Sequence, residues 1–171
     1  MRFSDILSKE LEREGALSAK VLANVPTGQD DWRPHPKSMP LGRLASLVAT
    51  MPSWLSMMID RDDFDLNPPE GRQSSEFAQT FKTPAELVRA SNDGIAGARS
   101  ALGGTTDDHL MKTWQLKFGG TVVSEKLRHE FLQESINHLA HHRGQLTVYL
   151  RMNDAPVPAT YGPSADEQRF E

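Results

Sequence analysis

The chain has 171 residues and a formal net charge of −4 at pH 7, and 37% of its residues are hydrophobic. This length is typical of one domain, which we expect to span residues 1–171. The absence of cysteine excludes disulfide bonds and a cysteine nucleophile. Because the balance of charge is acidic and the basic residues are scattered, we expect no nucleic-acid partner. No stretch approaches the roughly 18 apolar residues of a membrane span, so we expect a cytoplasmic protein with no membrane partner.

The first half of the chain predicts two helices joined by an extended connection. Apolar residues recur at helical spacing over about residues 3–23, which indicates the first helix. Two prolines within residues 32–36 favour an extended connection, because each biases the residue before it away from helix. Residues 41–58 show the helical pattern again, and Pro52 should bend this second helix. The polar residues 61–75 predict a surface loop.

The second half of the chain predicts two more helices and a hairpin between them. The Thr-Pro-Ala-Glu sequence at 83–86 is a capping box that begins the third helix, and the glycines at 103–104 end it. Residues 114–118 alternate apolar and polar side chains before the glycines at 119–120, which indicates a short hairpin or an extended crossover. The fourth helix is predicted over about residues 124–152.

These four amphipathic segments determine the expected fold. With so little strand content they predict an all-α fold, a helical bundle in which each helix buries one apolar face. The residues after the last helix, about 153–171, contain no periodic pattern and are expected to form an irregular tail.

The segment from Asn137 to Gln145 contains three of the six histidines within one helical pattern. His138 and His142 are four residues apart, which on an α-helix places both side chains on one face, where both imidazoles can bind one metal ion. Both belong to an apolar stripe that we expect to face the interior. The alternative is a pair of core histidines that hydrogen-bond to carboxylates or carbonyls, with Glu134 as the nearest candidate.

Other side chains have candidate roles that the sequence leaves open. His141 points to the side of the pair; it is a candidate for proton transfer, and a hydrogen bond to a neighbouring helix is the simpler interpretation. Arg143 and Gln145 are expected to anchor the helix or the tail by hydrogen bonds. The remaining histidines are expected to be solvated. A set of methionines and tryptophans could line a ligand cavity or pack in the core: Met51, Met57, Met58, Met111, Trp54 and Trp114.

Several segments of the chain resemble the DinB family of YfiT-like proteins. The resemblance is closest over residues 136–151, 156–158 and 161–167, and it extends upstream to residues 32–38, 41–45 and 110–120. It implies a four-helix bundle in the order up-down-down-up, in which the second and last helices are neighbours. Family proteins are often dimers, so the resemblance also implies a homodimer.

The resemblance implies a divalent metal held by three histidines, one from the second helix and two from the last. His138 and His142 match the last-helix pair. The second-helix histidine aligns with Leu47, which cannot bind a metal. We therefore expect an incomplete site for nickel or zinc, ions that imidazole ligands suit.

Two functions are compatible with the resemblance. The first is a metal-dependent enzyme that acts on a small molecule, which could contain a thiol, as a thiol S-transferase or a hydrolase. The second is a non-catalytic stress-response or ligand-binding member that lost its metal when Leu47 replaced the histidine. The family's description as DNA-damage-inducible refers to when the proteins are made and does not indicate DNA binding.

Overall fold

The computed structural model of the chain describes residues 2–68 and 79–168, which contain six helices and three strands. In chain order these are α1 (Phe3–Leu22), α2 (Leu41–Thr50), α3 (Ser53–Asp60), β1 (Asp63–Asp65), α4 (Pro84–Gly104), α5 (Asp107–Leu110), β2 (Thr113–Phe118), β3 (Thr121–Leu127) and α6 (Arg128–Met152). Parts of two predicted segments, residues 69–75 of the loop and 169–171 of the tail, lie outside the described residues.

A small sheet with the strand order β1-β2-β3 accompanies the helices, so the expectation of an all-α fold is wrong in this respect. The molecule is mostly helical with a three-stranded sheet. Strands β2 and β3 form the predicted hairpin. Gly119 and Gly120 make its turn at φ angles of 59° and 80°, which glycine adopts without steric cost.

Two features of the sheet differ from the sequence-based expectation. Strand β1 pairs parallel to β2, with Phe64 opposite Leu116, in a segment predicted to be a surface loop. This strand has three residues and one apolar side chain, so it is too short to show the alternation of apolar and polar residues that predicts a strand. The last helix begins at Arg128 rather than near residue 124, because residues 121–127 extend strand β3.

The helix ends follow the sequence closely. The Thr83 hydroxyl accepts the backbone N–H of Glu86 at 3.2 Å, and the Glu86 carboxylate accepts the backbone N–H of Thr83 at 3.1 Å. This confirms the capping box that begins α4. At Pro52, where a bend was predicted, the helix is interrupted: α2 ends at Thr50 and α3 begins at Ser53, because proline lacks an N–H to continue the helical hydrogen bonds, while Met51 and Pro52 keep helical backbone angles.

The helices pack around two clusters of buried apolar side chains. One cluster joins α2 to the end of α1 and the second half of α6, and the other joins α3 to the start of α1 and the first half of α6. Helices α2 and α3 both contact α6, which confirms that the second and last predicted helices are neighbours. Among the described residues, no helix combines the length and the apolar character needed to cross a membrane.

Arg128, the first residue of α6, is fully buried and joins three segments of the chain. Its guanidinium donates to the backbone oxygens of Met58 at 2.8 Å and His109 at 2.9 Å. It also donates to the backbone oxygen of Arg61 at 3.2 Å and to the carboxylate of Asp62 at 2.6 Å. These bonds attach the end of α3, the segment before β1, and α5 to the start of α6.

A second buried arginine on the same helix holds the tail. Arg143 forms an ion pair with Glu14 of α1 at 2.7 Å, and both side chains are at most 2% exposed. The hydroxyl of Tyr161 accepts from Arg143 at 2.6 Å and donates to the Glu14 carboxylate at 2.6 Å. The expectation that Arg143 anchors the tail is confirmed. The tail has no helix or strand among its described residues.

Replacing Arg128 with methionine tests its structural role. Arg128→Met removes the side-chain donor to the backbone oxygens of Met58, His109 and Arg61 and leaves Asp62 without its ion pair, so we expect the free energy of unfolding to decrease by about 3–5 kcal/mol. The control Arg151→Met breaks an ion pair with Asp166 whose arginine is 50% exposed, and it should cost less than about 1 kcal/mol. Urea unfolding followed by circular dichroism measures both, and equal small losses would contradict the role given to Arg128.

Candidate functional site

Helix α6 brings the side chains of His138 and His142 together. Their rings lie with centroids 4.5 Å apart, and the two Nε2 atoms face each other at 2.8 Å. This arrangement follows directly from the four-residue spacing on a helix. Two nitrogen donors that point at one another in this way can share one metal ion after a small separation of the rings, since Zn–N bonds are about 2.0–2.1 Å long.

The two histidines differ in exposure, which the sequence did not predict. His142 is buried at 8% exposure, as expected for a residue in the apolar stripe. His138 is exposed, although it was expected to face the interior with its neighbour. The reason is local: His138 lies at the edge of an open cavity, so its ring contacts the cavity on one side and remains accessible to solvent.

Gln145 orients two of the three histidine rings. Its carbonyl oxygen accepts from Nδ1 of His142 at 2.8 Å, and its amide nitrogen donates to Nε2 of His141 at 3.0 Å. The first bond places the proton of neutral His142 on Nδ1 and leaves the lone pair of Nε2 directed at His138. The sequence-based expectation was that Gln145 anchors the helix or the tail. Its position one turn after His141 and His142 is the feature of the sequence that indicates its role in orienting their rings.

Partial desolvation lowers the pKa of both members of the pair. For His138, desolvation is the largest cause, and the nearby rings of His142 and His141 lower its pKa further. For His142, desolvation again has the largest effect; the hydrogen bond that it donates to Gln145 opposes it, and His141 adds to it. The neutral imidazole is therefore favoured at both positions, and it is the form that binds metal ions.

The described residues place no third protein ligand beside this pair. Leu47 of α2 is partly buried and packs against the apolar cluster shared by α2 and α6. Glu134, the carboxylate considered for the pair, instead forms an ion pair with Lys126. The described residues contain no group of three or more His, Cys, Asp or Glu side chains that could hold a metal. The arrangement thus offers two donors, and the other positions around an ion would belong to water or to substrate.

The remaining histidines lie outside the pair. His141 is exposed, with its ring edge-on to that of His142 at 5.1 Å. His109 is not merely solvated as expected, because its Nε2 hydrogen-bonds to the backbone oxygen of Ile59 at 2.9 Å. His129 stacks on Phe3 with centroids 5.4 Å apart. These contacts give His109 and His129 structural roles.

A cavity of about 440 Å³ lies beside His138, between α3, the sheet and the first half of α6. Its lining residues are mostly aromatic or aliphatic: Trp54, Met57, Met58, Phe64, Leu66, Trp114, Leu116, Phe131, Glu134, Ser135 and His138. Four members of the predicted methionine and tryptophan set are therefore in the cavity wall. The other two are elsewhere, since Met51 is in the core and Met111 is on the surface.

Comparison with known proteins identifies the relatives of this fold. A family model described as the DinB family matches residues 8–169. A DinB-like protein from Bacillus cereus is 22% identical, with 91% of this chain and 95% of that chain covered and a TM-score of 0.65. A DinB-like protein from Bacillus subtilis, YjoA, is 16% identical, with 96% and 99% covered and a TM-score of 0.66. At these identities the two structures show a shared fold alone. No curated protein matches the chain.

Titration of the histidine pair tests its environment. We expect both rings in the metal-free protein to protonate below the ordinary histidine pKa of about 6.5. Near that pH the unfolded chain then binds more protons than the folded chain does. The contribution of the pair to stability is therefore present above the unfolded pKa and is lost as the pH falls through the folded pKa values. Ring-proton NMR gives each pKa; urea unfolding of the parent and of His138→Gln/His142→Gln isolates the pH dependence. A pKa above 6.5 for either ring would contradict this description.

Removing the Gln145 amide tests whether it prepares His142 for a metal. We expect Gln145→Leu to weaken zinc binding by about 10–100-fold, the usual effect of losing a partner that orients a metal-binding histidine. Gln133→Leu is the matched control, since Gln133 lies on the same helix and bonds only to exposed Asn137. Calorimetric titration measures both variants, and equal affinities would show that the orientation by Gln145 is irrelevant to metal binding.

Proposed function

Because this chain belongs to the DinB family, we propose that it is a metal-dependent enzyme of the thiol S-transferase or hydrolase type that acts on a small molecule. The observation that best supports this function is the pair of facing Nε2 atoms of His138 and His142, 2.8 Å apart, at the edge of the cavity. A histidine pair with a structural role alone would not need to lie beside a cavity large enough for a small molecule.

We further propose that the four long helical segments α1, α2–α3, α4 and α6 form the up-down-down-up bundle of the family. The contacts of α1 with α4 and α6, and of α2 and α3 with both α4 and α6, support this arrangement. A homodimer in the cytoplasm is part of the same proposal. Light scattering of the purified protein tests the dimer: a monomeric mass at high micromolar concentration would contradict it.

Each residue of the proposed site has its own role. His138 and His142 would bind nickel or zinc through Nε2, and the hydrogen bond from His142 Nδ1 to Gln145 would keep the His142 ring in the required orientation. Such an ion supplies Lewis-acid polarisation of a substrate carbonyl or thiol. Because Leu47 provides no donor, a substrate atom can occupy a position that the second-helix histidine fills in relatives. The apolar walls of the cavity position the rest of the substrate.

Two observations favour the alternative, a non-catalytic family member that has lost its metal. The facing nitrogens of His138 and His142 hydrogen-bond to each other, so the pair is satisfied as it stands. The described residues also contain no group of three or more His, Cys, Asp or Glu side chains that could hold a metal. Under this alternative the cavity would serve ligand binding alone.

Titration of the parent protein with zinc and nickel decides between the two. The metal-dependent function predicts about one ion per chain, with binding abolished in His138→Ala and in His142→Ala. It also predicts metal-dependent loss of a thiol in the presence of an aromatic electrophile such as 1-chloro-2,4-dinitrobenzene, again absent in His142→Ala. Absence of specific metal binding in the parent would refute the enzyme and leave the non-catalytic function.

Restoring the family histidine tests the position of Leu47 relative to the pair. We expect Leu47→His to increase zinc or nickel affinity at least about tenfold, because it would supply a third donor from the facing helix. The control is the same substitution combined with His142→Ala, in which most of the gain should be lost. If Leu47→His binds no more tightly than the parent, this residue is not beside the pair.

A further inference from the structure

The cavity beside His138 is built from large aromatic and sulfur-containing side chains. Trp114 and Phe131 form one part of its wall, with their rings edge-on at 4.7 Å and both side chains buried. Trp54 lines the cavity next to His138, with ring centroids 6.1 Å apart. The volume of about 440 Å³ is within the range of roughly 300–1,000 Å³ typical of small-molecule sites.

Few groups of this wall can form hydrogen bonds. Ser135 is buried at 7% exposure, and its hydroxyl has the thioether sulfur of Met58 as its partner at 3.6 Å. A thioether is a weak acceptor, so this hydroxyl can bond more strongly to a ligand. Glu134 is the one carboxylate among the described lining residues, and it is paired with Lys126. An ionised ligand would lose its hydration in this cavity without gaining an unpaired opposite charge.

We infer that the cavity binds an uncharged molecule with an aromatic or alkyl body and one polar end. The apolar body occupies the space between Trp114, Phe131 and Trp54, where burial of its surface drives binding. The polar end lies at the Ser135 hydroxyl and at His138, neither of which is part of an ion pair. This inference rests on the proposed function, because it assigns a substrate class to the same site.

The tryptophans of the chain provide a direct way to observe binding. Trp54 and Trp114 line the cavity, whereas Trp32 packs against Tyr149 in the other apolar cluster, with ring centroids 5.4 Å apart. The uncharged fluorophore N-phenyl-1-naphthylamine is a suitable probe. Its occupancy of the cavity should quench the emission of two of the three tryptophans and increase its own emission.

Strand β2 offers a matched pair of variants. Leu116 faces the cavity and is only partly buried, so Leu116→Trp fills the space with little disturbance of the core. Gln115→Trp places the same side chain on the opposite face of the same strand. Leu116→Asp is the second blocking variant, which introduces a charge in place of bulk.

The inference predicts saturable binding of one probe per chain in the parent, unchanged in Gln115→Trp. Both Leu116 variants should bind the probe at least about tenfold more weakly than the parent does. The charged compound 1-naphthalenesulfonate should bind to the parent at least about tenfold more weakly than the uncharged probe does. The inference would be overturned if the parent showed no saturable binding of the probe, or if both Leu116 variants bound the probe as tightly as the parent does. Equal affinity of the parent for the charged and uncharged probes would also overturn it. Metal titration is independent of this readout. If the protein binds the probe but no metal, the proposed function is refuted and the ligand class inferred for the cavity still stands.

Discussion

The burial of the Arg128 guanidinium is the interaction on which the shape of the site depends. A fully buried arginine is costly unless its donors are matched, and here its acceptors come from the end of α3, from residues 61–62 and from α5. Of these segments, the end of α3 lines the cavity, together with the sheet and α6. Trp114 reinforces the arrangement, since its indole N–H donates to the backbone oxygen of Arg61 at 3.0 Å. One side chain thus connects the wall of the cavity to the helix that contains the histidines.

The histidine pair lies on α6 between two buried arginines, and this placement makes the site rigid. Arg128 attaches the start of the helix to α3 and α5, and Arg143 attaches its second half to α1 through Glu14. A metal or substrate site benefits from such support, because a ligand that is already held in position loses little freedom on binding. Gln145 completes the arrangement by orienting the rings within the helix itself.

Local sequence signals predicted much of the fold and part of the site. The capping box at Thr83, the disturbance of the second helix at Pro52 and the spacing of His138 and His142 all depend on residues within one turn of each other, so the chain reveals them directly. The burial of Arg128 and the exposure of His138 depend on segments distant in sequence, which periodicity does not identify. Strand β1 is defined by its pairing with β2, and its three residues contain too little pattern to predict.

We propose that His138 and His142 together hold a metal ion at the edge of the apolar cavity. Anomalous diffraction at the zinc edge, from crystals of the protein equilibrated with zinc, would locate that ion. We expect a peak about 2.0–2.1 Å from Nε2 of both histidines, with water or a solvent molecule completing the coordination. Ordered zinc bound only elsewhere, with the two Nε2 atoms still hydrogen-bonded to each other, would contradict it.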